Sequence, residues 1–302
     1  MITTPRIGLD IGGTKIEGIA LDPGGEIASR IVIPTVPGAE GVLAATSSVV
    51  AALAEQAGRP LADFAGVGIG IPGQVDRASG TVRNAYNMGL SALALGSELS
   101  ARVGIPVSVD NDVTAAAIGA AHIMGLDGTV AYVNLGTGLA AGVTIDGVPV
   151  RGTDGYAGEI GHLAIDPRQR ACPCGQFGCL ETVASGSALK AHWPGGGEHP
   201  GRTLNAAIAA GDPEAKLAME YLIDGAASTV RVLGLTVNPG AFVVGGGLRL
   251  LGEPLFEGIR ERLAEWSAAS EFIAALRLGE RVQILPEDSP AAAIGAAIAV
   301  ND

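Results

Sequence analysis

Outside one stretch of eight residues the sequence has no cysteine. The three it carries, Cys172, Cys174 and Cys179, are an odd number, so no disulfide framework accounts for them. Aromatic residues are scarce, 4% of the chain, which removes the stacking platforms on which single-stranded nucleic acid is bound. Positive charge is short as well: 19 Lys and Arg stand against 31 Asp and Glu, for a net charge of −12 with no Lys/Arg run. A polyanion would be repelled. No apolar run is long enough to span a bilayer; the longest uncharged stretch, 128–145, is interrupted by Asn134, Thr137 and four glycines. The opening MITTPRIGLD lacks the basic start and apolar run of a secretion signal. These absences lead to the expectation of a cytoplasmic protein that binds neither nucleic acid nor membrane.

Within those limits there is material for a sizeable core. Hydrophobic residues make up 48% of 302 and charged ones 17%, a balance unlike that of disordered chains, and the length suits one large domain or two smaller ones. Strands are expected at 6–10, 15–21 and 27–33, a meander turned at glycines. A helix is expected over 42–57, where Val42, Val49, Val50 and Leu53 share a face and Gly58 and Pro60 stop it. A buried strand at 67–71, a helix over 91–103 and a strand at 107–109 follow; the last delivers Asp110-Asn111-Asp112 to a helix over 113–124. Strands at 129–135 and 139–145 lead to an Asp146-Gly147 hairpin turn. The stretch 151–181 reads as loop, and WPGGGEHPG (193–201) as one long flexible loop. Helices over 213–237, opened by Asp212 as cap and Pro213, and over 253–269, strands at 241–247 and 282–285, and a helix over 290–300 complete an α/β chain. A strand–strand–strand–helix pattern occurs in it twice.

Two turns follow similar strands in the two halves, DIGGTK (10–15) and LGTG (135–138). Turns without side chains let backbone N–H groups approach a phosphate, here at Gly12, Gly13, Gly136 and Gly138. Thr14 and Thr137 add hydroxyl donors, Lys15 a charge, and Asp10 a carboxylate for the hydration shell of Mg²⁺. Either turn alone is an ordinary glycine-rich hairpin; the pair suggests a clamped nucleotide. GIGIPG (68–73) fits the spacing of a dinucleotide fingerprint, but Pro72 and QVDRASG do not open a helix, and no acidic residue stands about 20 positions on. A turn that puts Gly73 near a ligand is the better reading. Asp112 admits two readings: a plain helix cap, or a carboxylate at a strand end, kept ionised by the helix dipole and able to take a proton from a hydroxyl.

The cysteines, in C-x-C-G-x-x-G-C, suit a tetrahedral metal held by thiolates, with glycines allowing the tight loop. His162, ten residues upstream in GEIGH, completes a Cys₃His set. Four protein ligands leave no open position, so the metal is expected to be a structural Zn²⁺. Glu159 and Glu181 flank the ligands; a pair of carboxylates accepts several hydroxyl hydrogen bonds, as a sugar would offer, and the second ring nitrogen of His162 can reach a sugar hydroxyl.

Taken together, LDIGGTKI (9–16), GIPGQVD (70–76), VDND (109–112), LGTGLAAG (135–142), GEIGH (158–162), CPCGQFGCLE (172–181) and VVGGGL (243–248) resemble the ROK family (repressor, ORF, kinase), and within it the bacterial glucokinases. The resemblance spans essentially the whole chain. It implies a two-domain actin-like (ribonuclease H-like) ATPase fold with an interdomain cleft: a small domain over 1–112, a large domain over 113–289 carrying the zinc loop, and a last helix, 290–302, packing back on the first domain. It implies ATP-dependent phosphorylation of a hexose, usually at the 6-hydroxyl, with Asp112 as general base. Asn111, Glu159, His162 and Glu181, and further Gly73 and Asn87, are the implied sugar ligands. Asp10, Gly12, Gly13, Thr14, Lys15, Gly136, Thr137 and Gly138 are the implied phosphate-loop residues, and Gly246 the implied neighbour of the adenosine. ATP, Mg²⁺ and a structural Zn²⁺ on His162, Cys172, Cys174 and Cys179 are the implied cofactors, and a homodimer or homotetramer the implied assembly. Two departures stand out: Tyr86 where relatives usually carry Pro, without the Trp often found just after, and GLAAG in place of a more glycine-rich second loop.

Rival readings are weighed by the same residues. A sugar-sensing repressor would need a helix-turn-helix module, and the first strand already begins near Arg6 in a strongly acidic chain. An actin-like ATPase without a sugar would have no use for Glu159 and Glu181 beside a metal loop. A kinase for N-acetylmannosamine, N-acetylglucosamine or fructose shares the chemistry, and a polyphosphate donor is the alternative to ATP.

Overall fold

The computed structural model describes residues 3–300. Its first strands, β1 (Arg6–Ile11), β2 (Lys15–Leu21) and β3 (Ile27–Pro34), form the expected antiparallel meander. Ile7, Leu9, Ile11, Ile16 and Ile19 are fully buried, so β1 and β2 form the centre of a core rather than an amphipathic edge. α1 (Ala39–Gln56) buries Val42, Leu43, Thr46, Val49, Val50 and Leu53 against them. β4 (Val67–Ile71) pairs with β1 in parallel. A small antiparallel sheet follows: β5 (Gln74–Asp76), β6 (Thr81–Ala85) and β7 (Leu90–Leu93). α2 (Leu95–Val103) then leads to β8 (Val107–Asn111), which completes a five-stranded sheet of order β3-β2-β1-β4-β8, and to α3 (Asp112–Ile123).

Here the sequence misled. Residues 91–103 read as one helix, but 90–93 form β7, paired with β6; Leu90 and Leu93 are buried and Ser91 and Ala92 exposed. Cross-strand packing overrides the helix preference of the alanine-rich segment.

A second mixed sheet has the order β11-β10-β9-β12-β13. β9 (Thr129–Leu135) and β10 (Leu139–Ile145) are an antiparallel pair, joined through Asp146 and Gly147 to β11 (Val148–Val150). α4 (Gly186–His192), α5 (Pro200–Ala209) and α6 (Pro213–Thr236) follow the metal loop. β12 (Ala241–Gly245) pairs in parallel with β9, and after α7 (Glu253–Ala268) and α8 (Glu271–Ala275) comes β13 (Val282–Ile284), parallel to β12. Residues 193–201 are not the long loop expected. Trp193 is only 4% exposed and its indole N–H donates to Asp212 (3.0 Å). Residues 194–196 form a 3-10 turn, and α5 opens at Pro200. The glycines there make room for the indole: a Cβ on Gly196 would lie 2.4 Å from the Trp193 ring.

The last helix, α9 (Ala291–Ile298), packs on α3, β1 and β4. Small residues permit this. A Cβ on Gly119 would lie 1.9 Å from the Ala291 carbonyl oxygen, and one on Gly295 1.8 Å from that of Ala115. Gly8 and Gly68 meet the carbonyls of Ala293 and Ala296 in the same way, and Arg6 donates to the Ile298 carbonyl (3.1 Å). The chain divides into two compact units, Met1–Gly125 with Gly147–Tyr156 and Ser289–Asp302, and Leu126–Asp146 with Ala157–Asp288. This division puts α3 in the first unit, whereas the sequence reading ended its first domain at 112; the backbone-to-backbone fit of α3 with α9 is the physical reason.

Candidate functional site

In the first unit the site begins at the end of β1. Asp10 pairs in register with Glu17 of β2. Its carboxyl is pushed up to about 7, by burial above all and then by the charges of Asp112 and Glu17, with Lys15 opposing. The turn after it is tightly closed. Gly12 N–H donates to the Lys15 carbonyl (2.8 Å), the Thr35 hydroxyl to the Gly12 carbonyl (2.6 Å), and Thr35 N–H to the Thr14 carbonyl (3.1 Å). Gly13 and Thr14 are left exposed at its tip. The ammonium of Lys15 is committed to Glu17 (2.9 Å), which also takes Arg30 (2.8 Å). Burial by itself would raise the Glu17 carboxyl; Lys15 and Arg30 overcome it and hold it below its ordinary range. The role of Thr35 was not read from sequence, because its partner lies 23 residues away.

At the β8–α3 junction the helix cap is Asn111, whose side-chain oxygen accepts from Val113 N–H (2.9 Å) and Thr114 N–H (3.1 Å). Asp112 is the first helical residue, and its carboxylate accepts from Val113 N–H (3.0 Å). Gly70 of β4 lies beneath it, where a Cβ would be 3.3 Å from the Asp112 Cα. Asp110, unassigned in the sequence, is 6% exposed and takes Arg151 (2.6 and 3.0 Å) and Arg77 (3.2 Å). Gly73 has φ 104° and no room for a side chain against the Arg83 carbonyl. Asn87, in a 3-10 turn at 86–88, lies beside the first glycine turn: a Cβ on Gly13 would be 3.2 Å from that of Asn87. The first unit therefore brings together Asp10 with Asp112, and Gly13 with Asn87.

In the second unit the turn at 136–138 is closed by Gly136 N–H to the Gly138 carbonyl (3.1 Å) and backed by the start of α4, where Gly186 and Ser187 N–H donate to the Gly136 (2.8 Å) and Thr137 (3.1 Å) carbonyls. Gly246, at φ 78°, packs so closely on the end of β9 that a Cβ would be 2.4 Å from the Leu135 carbonyl oxygen. The GEIGH segment runs against β10, with Gly158 and Gly161 allowing the approach; added Cβ atoms there would meet the Ala141 and Leu139 carbonyl oxygens at 1.8 and 2.0 Å. Glu159, between those glycines, is exposed. Glu181 reaches the glycine turn: a Cβ on Gly138 would be 3.1 Å from its carboxylate.

His162, Cys172, Cys174 and Cys179 converge, their ligand atoms all within 4.8 Å of one another. Cys174 and Cys179 sulfurs are 3.7 Å apart, and Cys172 Sγ is 3.8 Å from His162 Nδ1. A tetrahedron with Zn–S bonds of ~2.3 Å has an S···S edge of about 3.8 Å, so the donor set fits zinc in chemistry and size. Hydrogen bonds from the Gln176 backbone and side chain lower the Cys174 thiol to about 6, while burial raises Cys172 and Cys179. Glu181 accepts from Cys172 (3.2 Å), so the metal loop and a candidate sugar ligand are one piece of structure. With Nδ1 of His162 turned to the sulfurs, Nε2 lies on the opposite side of the ring. No helix among the described residues is long and apolar enough to cross a membrane.

A family model, the ROK family, matches residues 6–302. The chain belongs to the ROK family. It is similar to the ROK family glucokinase of Streptomyces griseus, solved in complex with glucose and AMPPNP (34% identity, TM-score 0.78, 97% of this chain and 98% of that one). It is also similar to the ROK hexokinase of Thermus thermophilus (29%, TM-score 0.82, 97% of each). Among curated relatives, the glucokinase of Streptomyces coelicolor is 33% identical over 92% of this chain and 95% of its own, and the N-acetyl-D-glucosamine kinase of Escherichia coli O6:H1 30% identical over 85% and 87%. The two mixed sheets are those of the actin-like ATPase fold of ROK hexokinases.

Proposed function

We propose that this ATP-dependent ROK sugar kinase transfers the γ-phosphoryl group of ATP to the 6-hydroxyl of glucose, with Asp112 as general base. The observation that carries the assignment is the β8–α3 junction: Asn111 does the capping, so the carboxylate of Asp112 is not required for it, and its charge is felt at Asp10. Asp112 takes the proton of the sugar hydroxyl as its oxygen bonds to phosphorus and the bond to the ADP oxygen breaks; the proton then passes to solvent. The proposed sugar ligands are Asn111, with its amide nitrogen still available as a donor, Asn87, Gly73, Glu159, Glu181 and His162 Nε2. Gly12 and Gly136 close the two turns with their own N–H groups; the N–H groups of Gly13 and Gly138 and the hydroxyls of Thr14 and Thr137 bind the phosphates, and Gly246 borders the adenosine. Lys15 acts on the phosphate turn through Glu17. The raised carboxyl of Asp10 fits a site for Mg²⁺, which when bound supplies positive charge to the phosphates. Zinc on His162 and the three cysteines supplies shape, fixing His162 and Glu181.

Release of ADP from Mg·ATP across glucose, mannose, fructose, N-acetylglucosamine and N-acetylmannosamine tests the reading. Glucose is expected to give the highest kcat/KM. A preference for N-acetylglucosamine, the named substrate of the Escherichia coli relative, would replace the acceptor and keep the mechanism. Asp112→Asn is expected to retain glucose binding and lose about 10²–10⁴-fold in kcat; a near wild-type rate would remove Asp112 from the chemistry.

A further inference from the structure

The chain has four tyrosines, and Tyr86 is 74% exposed. Folding gains nothing from a phenol so placed, yet it is held. Its hydroxyl donates to Asn84 Oδ1 (2.8 Å), and Asn84 Nδ2 donates to Gln74 Oε1 (3.2 Å). Asn84 adopts φ 57° within this relay, a conformation uncommon outside glycine. The relay ties the 86–88 turn to Gln74, the neighbour of Gly73. On its other side the same turn touches the phosphate turn through Asn87 and Gly13, while Met88 anchors it in the core. An exposed ring is thus held next to Asn87 in the chain and tied through Asn84 to the neighbour of Gly73, two positions already assigned to the sugar.

We infer that Tyr86 is a specificity-determining residue, whose ring stacks on the C–H face of a hexopyranose. This rests on the hexose-kinase reading above. An aromatic face beside polar donors is what an amphipathic sugar requires: its hydroxyl edge goes to Asn87 and Asn111, and its C–H face to the ring. Glucopyranose presents a broad six-membered C–H face. Fructose frees its 6-hydroxyl only as the five-membered furanose, with a smaller face and substituents on both sides. Tyr86 therefore favours glucose over fructose. Contacts made equally in bound substrate and transition state change KM and leave kcat alone.

The test is steady-state kinetics and sugar calorimetry on wild type, Tyr86→Phe and Tyr86→Ala, with melting temperatures alongside. Wild-type glucose binding and turnover test the kinase reading itself, and their absence overturns both. Given wild-type activity, Tyr86→Ala is expected to raise KM and Kd for glucose about tenfold, to hold kcat and KM for ATP within twofold, and to cut the glucose-over-fructose ratio of kcat/KM about tenfold. Tyr86→Phe keeps the ring and loses the relay, and is expected to fall within threefold of wild type. Glucose KM within twofold of wild type in Tyr86→Ala, or a loss of kcat and melting temperature together in both variants, overturns the assignment.

Discussion

Asp10, proposed above for the Mg²⁺ site, is a residue whose burial opposes folding. Its carboxyl ionises near 7 in the folded protein, against 3.8 as its ordinary value. Between those values the native state holds a proton that the unfolded chain has released, so stability falls as pH rises from about 4 to 7 and is level beyond. Asp10→Asn is expected to match wild type near pH 4 and to exceed it by roughly 4 kcal/mol above pH 7, while losing most of its kinase activity. Melting curves from pH 4 to 9 check this, and a stability difference independent of pH would mean that Asp10 carries no buried charge. The position of Asp10, near the end of an apolar strand and before a glycine turn, was legible in the sequence. The choice between Asp112 and Asn111 as cap was not, since both residue types cap well and only the hydrogen bonds decide. The two arginines on Asp110 come from distant segments and left no local signal.

At the scale of elements, the metal loop was the clearest part of the sequence, because ligand spacing is a local constraint. Its attachment was hidden. The GEIGH segment lies on β10 only because Gly158 and Gly161 present no Cβ to the carbonyls of that strand. Gly161→Ala is expected to push the segment outward and raise KM for glucose at least tenfold, with a smaller effect on KM for ATP; equal effects on both would show a general loss of structure. Metal analysis is expected to find about one zinc per chain, and Cys174→Ser to lose it together with several degrees of melting temperature. A metal-free protein of full stability and activity would refute the structural zinc. β7 escaped the sequence reading because its two buried leucines, three residues apart, fit a helix as well as a strand until β6 is placed beside them.

For the molecule as a whole, the sequence carried the α/β class and the motif order, which is why a family match over residues 6–302 agrees with a reading built from seven short motifs. It did not carry the assignment of α3 to the first unit. That depends on α9, brought back from the far end of the chain onto Gly8, Gly68 and Gly119, where a methyl group has no room. Gly119→Ala and Gly295→Ala are each expected to destabilise the first unit by about 3 kcal/mol, as read from denaturant melts. An unchanged midpoint in either would show that the helices can separate without loss.

This threading has a consequence for the order in which the protein is made. The strands that bear Asp10 and Gly70 leave the ribosome early, but the helix that covers them is translated only after the entire second unit. Until then the nascent first unit keeps a bare groove over β1 and β4, with the helix of Asp112 lacking its partner. A growing chain can complete its second unit while its first stays open, so the part of the protein that begins first matures last.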